Sequence, residues 1–326
     1  MMTDHPFSAL VGQPQAIELL TQTVLKNRIA PAYLFVGSSG IGRSLAARCF
    51  IELLFCSASK NPTNSQQIKH RIQARNHPDL LWVEPTHLHQ GKLFTAVEAA
   101  EAGLKRRSSP QIRLEQVREI GQFLSRPPLE ASRSIVVLEQ AETMAEAAAN
   151  GLLKTLEEPG NATLILIAPS VDSLLSTLVS RCAKIPFYCL DEQGMNQVLK
   201  EQGKTEILSH PEIIAMSQGS PGEAILCWEQ LQALSPEFLE SVKNPPQTLY
   251  DALNLAKDIS KTLDPEAQLW LIDYLQHCYW QHQQKTGVFN PLFLQKLEKA
   301  RQSLRQFVQP RLVWECTFLA FVSSGT

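Results

Sequence analysis

Residues 37–44 (GSSGIGRS) match the phosphate-cradling pattern G-x-x-x-x-G-K-[ST] at every fixed position but one. Gly37, Gly40 and Gly42 let a backbone turn its N–H groups inward around phosphates. A following helix N-terminus would add positive potential, and the hydroxyl of Ser44 suits Mg²⁺. The exception is Arg43, which stands where the pattern has Lys. Its charge is the same, but a planar guanidinium does not substitute freely for a compact ammonium in a tight cradle. Two readings stay open: a degenerate site for ATP or ADP, or a turn whose glycines only join strand to helix. A second departure follows the apolar run SIVVL (134–138). Metal-assisted phosphoryl transfer needs a carboxylate there for Mg²⁺ and a second one to polarise the attacking water. Glu139 can meet a metal ion, but the next residue is Gln140, which cannot accept a proton as a carboxylate does. ATP hydrolysis by the chain itself is therefore not expected.

Other chemistry-bearing residues are less constrained. Arg181, in LLSTLVSRC (174–182), would as an anonymous arginine pair with a surface carboxylate or cap the helix before Lys184. Glu157 and Glu158 are adjacent, and neighbours on a helix do not face each other, so no paired-carboxylate chemistry is assigned to them. Between the glycine loop and His77 the cysteines are Cys49, on the helical segment 43–56, and Cys56, with His70 nearby. That set does not supply four tetrahedral ligands, and no structural zinc is expected. Lys105, Arg106 and Arg107 read as a solvated face rather than as contacts to a nucleic-acid backbone.

The elements that must position these residues follow from hydrophobic patterning. AYLFV (32–36), DLLWV (79–83), SIVVL (134–138) and ATLILIA (162–168) are unbroken apolar runs, as strands buried on both faces of a parallel sheet require. Helical periodicity precedes and separates them, at 13–27, 43–56, 114–125 and 145–157, the last ended by Pro159, which keeps Glu158 out of the helical region. The polar stretches 57–77 and 86–111 read as surface insertions. After Pro186 only helical patterns remain, for example Ile213, Ile214 and Met216, then Leu269, Leu271, Ile272 and Leu275. Pro221 and Gly222 read as closing one small helical unit, and Pro236 as opening the next. The expected architecture is an α/β domain with a parallel sheet at 1–187, a helical lid at 188–235 and an all-α domain at 236–326.

Bulk properties set outer limits. A chain of 326 residues, 44% hydrophobic, is long enough for more than one core, and a net charge of −2 leaves no global footprint for nucleic acid. Seven cysteines without a dense framework fit a reducing compartment, read as the cytoplasm. No stretch reaches the roughly 18 apolar residues of a membrane span, and no membrane partner is expected.

The order of motifs then carries a resemblance. PFSALVGQPQA (6–16), AYLFVGSSGIGRS (32–44), HPDLLWVEP (77–85), IRLEQVREIGQFLSRPP (112–128), AEAAANGLLKTLEEPG (145–160), LLSTLVSRC (174–182) and GSPGEA (219–224) are similar, over nearly the full chain, to the bacterial clamp-loader subunits of DNA polymerase III, in the AAA+ superfamily. NGLLKTLEEP joined to Ser180-Arg181-Cys182 is the most specific element. The resemblance implies a P-loop domain, a lid, and a helical collar ending in QPRLVWECTFLAF (309–321). It also implies that Arg181 reaches into a neighbouring subunit's ATP site as an arginine finger. The implied partners are motor subunits (gamma/tau) and a clamp-opening delta subunit in a hetero-pentamer, with the sliding clamp and primed DNA engaged through the complex. Motor subunits keep a lid Arg where this chain has Gly222. The departures at Arg43, Gln140 and Gly222 resemble the non-hydrolysing subunit of that complex. The rivals are a motor-type ATP-hydrolysing subunit and a P-loop-derived adaptor outside the clamp loader.

Overall fold

The computed structural model describes residues 6–57, 62–104, 109–244, 246–286 and 291–323, so the basic run at 105–107 lies outside the described residues. The chain forms two compact units. One runs to Val198 and takes in Gly219–Gly222; the other holds Leu199–Gln218 and continues from Glu223.

Among its described residues the first unit has the strands β1 (Ala32–Val36), β2 (Leu80–Val83), β3 (His87–His89), β4 (Lys92–Phe94), β5 (Ser134–Leu138), β6 (Ala162–Ala168) and β7 (Ala183–Pro186). Five make a parallel sheet in the order β2-β5-β6-β1-β7. Its helices are α1 (Pro14–Leu25), α2 (Arg43–Ser57), α3 (Pro62–Gln73), α4 (Ala96–Glu101), α5 (Leu114–Leu124), α6 (Glu146–Glu157), α7 (Ser176–Val179) and most of α8 (Glu192–Glu201).

The unbroken apolar runs are explained by burial on both sheet faces. Tyr33, Phe35, Ile135, Val137, Ile165 and Ile167 face one core, which α1, α2 and α3 cover. Leu34, Val136, Leu138, Leu164 and Leu166 face another, which α5, α6 and α7 cover. β7 completes the edge, although its short Ala-Lys-Ile-Pro sequence is half exposed and carried no strand pattern.

Two expectations are corrected here. The stretch 57–77, expected as a polar surface insertion, carries α3, which buries Ile68 and Ile72, one turn apart, in the core under α2. Pro221 and Gly222 open a helix rather than close one, in keeping with the fit of Pro to a first helical turn, where its missing N–H is not needed. The second insertion has internal order. β3 and β4 form a hairpin turning at Gln90 and Gly91, both at positive φ, and α4 starts on a Thr95/Glu98 capping box. Thr86 and Gln111 exchange backbone hydrogen bonds, so its two ends meet.

The second unit is helical, with α9 (Pro211–Ser217), α10 (Pro221–Gln232, beyond its first residues), α11 (Pro236–Lys243), α12 (Leu249–Thr262), α13 (Pro265–Thr286), α14 (Pro291–Arg305) and α15 (Pro310–Ser323). Trp314 and Phe318 of α15 stack at 5.3 Å in its core. The buried indole of Trp314 donates to Gln268 Oε1 at 2.9 Å, and Gln268 Nε2 donates to the Leu263 carbonyl at 2.9 Å. Leu312 and Cys316, on the same helix, are exposed. Among the described residues no helix is long and apolar enough to cross a membrane.

Candidate functional site

The glycine loop leaves β1 at Val36 and delivers the chain to the start of α2 at Arg43. At Gly37 a Cβ would lie 2.6 Å from the Phe187 carbonyl oxygen, so only glycine fits against that neighbouring backbone. Gly40 (φ 72°) and Gly42 (φ 101°) adopt left-handed backbone that L-residues rarely take. The turn thus has the shape that the spacing predicts. Ser44 donates to the Glu139 carboxylate, which burial pushes upward in pKa and this hydrogen bond pulls down. The guanidinium of Arg43 is part-buried, and burial lowers its pKa against the pull of Glu142 and Glu139. Its Nη1 is enclosed without a hydrogen-bond partner, as is Oε2 of Glu142. Arg43 therefore feels the charge of the two carboxylates beyond β5 without a hydrogen bond from Nη1 to either. Gln140 is exposed at φ 48°, and its carbonyl accepts from the Thr143 amide and hydroxyl.

A segment distant in sequence is fastened across this loop. Ser220 Oγ donates to the Ser39 carbonyl at 2.7 Å, and the Gly222 amide donates to the Gly40 carbonyl at 3.0 Å. Leu190 N–H ties to the Gly219 carbonyl at 2.7 Å. A Cβ on Gly222 would stand 2.6 Å from Gly40 Cα, so the position has no room for a side chain. The Gly-Ser-Pro-Gly composition hinted at a turn, but nothing in the spacing showed that it meets the loop.

Arg181 lies elsewhere. It follows α7, and its partners come from α6 and α7, not from the loop. Nη2 donates to Glu157 Oε1 at 2.7 Å and Nη1 to the Thr177 carbonyl at 2.9 Å. Its side chain keeps 38% of its surface exposed. Ser180 Oγ donates to the same Thr177 carbonyl at 3.0 Å. The Cys182 thiol is pushed up to about 11 by burial, so it stays protonated and chemically quiet near neutral pH. Of the residues singled out in the sequence, Gly37, Gly40, Gly42, Arg43, Ser44 and Glu139 come together, Gln140 borders them, and Ser180 and Arg181 lie on a separate surface with Cys182 packed against the core behind them.

Sequence reading missed three further features. Glu142 joins Arg43 and Glu139 from the short turn after β5. Trp82 on β2 is flanked by the guanidinium groups of Arg48 at 5.4 Å and Arg75 at 4.9 Å, and Arg75 pairs with Glu84. A cavity of about 350 Å³ is lined by Glu142, Glu146 and Asp172 over Met144, Leu174 and Leu178; its carboxylates make it unsuited to an anion. Among the described residues no three His, Cys, Asp or Glu side chains converge as metal ligands. His77, just after α3, packs on the Phe55 ring at 4.5 Å.

The five-stranded parallel sheet, the glycine loop running from β1 into α2, and the helical second unit define a P-loop protein of the AAA+ class. Residues 12–191 match the family described as "DNA polymerase III, delta subunit", and residues 193–321 match "Cyanobacterial DNA polymerase III delta prime, C-terminal domain". The chain belongs to the DNA polymerase III delta-prime family, within the clamp-loader group. It is 32% identical to the delta-prime subunit of Bacillus subtilis over 192 residues, 58% of this chain and 52% of that protein. It is also 32% identical to the delta-prime subunit of Pseudomonas aeruginosa over 199 residues, 59% and 54% of the two chains. The match therefore spans about half the length of these relatives. A DNA polymerase III gamma-subunit-related protein of Thermotoga maritima shares the fold, with a TM-score of 0.51 at 15% identity, covering 95% of this chain and 99% of that one.

Proposed function

We propose that this clamp-loader-family subunit does not hydrolyse ATP and instead supplies Arg181 in trans to the ATP site of a neighbouring gamma/tau motor subunit. The observation that carries this reading is the placement of Arg181. Its guanidinium is exposed and held by α6 and α7, while every charged partner of Arg43 belongs to the glycine loop's own surroundings. A planar guanidinium fork suits the charge that builds on a γ-phosphoryl group during transfer.

The chain's own loop fits a phosphate in shape but not in chemistry. Gly40 and Gly42 give the turn, yet the cation in the lysine position is a part-buried guanidinium under the charge of Glu139 and Glu142, and a planar head does not replace a compact ammonium in a phosphate cradle. Gln140 supplies no base for water. The Ser220 and Gly222 contacts hold the loop from outside, and the absence of space at Gly222 bars a lid arginine. These features support a subunit that has no catalytic cycle of its own. In this reading it acts in the cytoplasm in a hetero-pentamer with gamma/tau and delta subunits. The sliding clamp and primed DNA are engaged through the assembly.

The test is single-turnover ATP hydrolysis in a reconstituted loader whose other motor sites are inactivated. Arg181→Ala should slow the site that abuts this chain by about 10³-fold, Arg43→Ala should leave it unchanged, and the chain alone should show no turnover. Unchanged hydrolysis with Arg181→Ala defeats the finger reading. Turnover by the isolated chain defeats the non-hydrolysing one.

A further inference from the structure

Glu157 is the last residue of α6, where Pro159 forces the chain out of the helix, and its carboxylate meets Arg181 across the gap to α7. The two residues are 24 apart in sequence, so the contact is set by how α6 and α7 pack rather than by local spacing. Leu152 and Leu156 of α6 and Leu178 and Val179 of α7 are buried in one core, which fixes the helix ends that carry the pair. Thr177 supplies the other anchor through its carbonyl, and the Ser180 hydroxyl donates to that same oxygen.

We infer that Glu157 is a positioning residue for Arg181: it holds the guanidinium in a set orientation before any phosphate arrives. This rests on the reading of Arg181 as a finger. A guanidinium carries more N–H donors than these two contacts use, one on each terminal nitrogen, so both anchors can persist while other donors face outward. An unanchored arginine would have to surrender its rotamer freedom in the transition state. An anchored one has lost it already, and misplacement by about 1 Å is enough to weaken catalysis strongly. Glu157 is 54% exposed, so water and salt screen its charge and leave Arg181 attractive to a phosphate. The same exposure means that the pair adds little to folding stability. Its value lies in geometry.

The consequence is a particular kinetic signature. Glu157→Gln keeps the size of the side chain but removes the charge that directs Arg181. In the reconstituted loader with one active motor site, it should lower kcat about 5- to 10-fold, leave KM for ATP unchanged, and leave thermal unfolding of the free chain unchanged. In an Arg181→Ala background it should have no further effect, since a residue acting only through Arg181 is silent once Arg181 is gone. Wild-type kcat with Glu157→Gln, in a system where Arg181→Ala is crippled, overturns the positioning role and leaves the finger reading intact. A loss of equal size in both backgrounds also overturns it, because Glu157 would then act by another route. If Arg181→Ala itself has no effect, the finger reading fails and the positioning role fails with it.

Discussion

Asp79 shows how a single side chain holds this scaffold in register. Burial pulls its pKa up, but amide hydrogen bonds from Leu129, Ala131 and Glu130, at 2.6–2.8 Å, outweigh that and keep it below the ordinary carboxylate range. The carboxylate thereby fixes the turn that leads into β5, the strand that Glu139 follows. Its neighbour His77 is the titrating counterpart. The ring is buried on Phe55, and its Nδ1 accepts from the Asp79 amide, so it is held neutral. Burial lowers its pKa, and Arg71 adds to the effect, against the opposing pull of Asp79 and Glu130. The unfolded chain then takes up a proton that the folded chain refuses. Stability should therefore fall as pH drops below about 6.5, down to the lowered folded value, and be unaffected by this residue above that window. Denaturant unfolding of the first unit across that range should show the slope, and His77→Gln should flatten it. An unchanged slope in the variant would mean that His77 is not the titrating group. His277, also lowered by burial, gives a slope of the same sign in the second unit, so the two transitions must be followed separately.

At the scale of elements, legibility depended on whether a contact is local. β1, β5 and β6, the helices α1, α2, α5 and α6, and the glycine loop were all readable, because each writes its burial into a continuous pattern. α3 was not, since Ile68 and Ile72 are isolated in a polar sequence and their burial depends on where α2 lies. β7 was lost to its brevity, and the Glu157–Arg181 pair and the Ser220 and Gly222 contacts join residues that only the packed fold brings together. The last of these gives a prediction with an unusual sign. Gly222 lies in the first turn of α10, and replacing a helical glycine by alanine ordinarily stabilises by about 0.5–1 kcal/mol. Here the added Cβ would press on Gly40 backbone at 2.6 Å, which a flexible side chain cannot relieve. Gly222→Ala should therefore destabilise the chain, by about 1–3 kcal/mol as overpacked sites do. A rise in the unfolding midpoint would show that the contact between residues 222 and 40 does not persist in solution.

The whole molecule contains buried clusters that share no residue between the two units. Those of the first are made from the sheet and the helices on its faces, and that of the second mainly from α11 to α15 with Leu234 ahead of α11. Each has its own most vulnerable point. In the second unit, Trp314 and Gln268 form a buried polar chain ending on the Leu263 carbonyl. Trp314→Phe keeps an aromatic ring but leaves Gln268 Oε1 buried without its donor, which costs about 1–3 kcal/mol. In the first unit, Ile72→Ala opens space beneath α2 and costs about 2–5 kcal/mol. Separate cores predict separate responses. Scanning calorimetry of the full chain should resolve two heat-absorption transitions, with Trp314→Phe lowering one and Ile72→Ala the other. If both substitutions move a single transition together, the two units unfold as one cooperative body, and a change at either core would then reach the surface that carries Arg181.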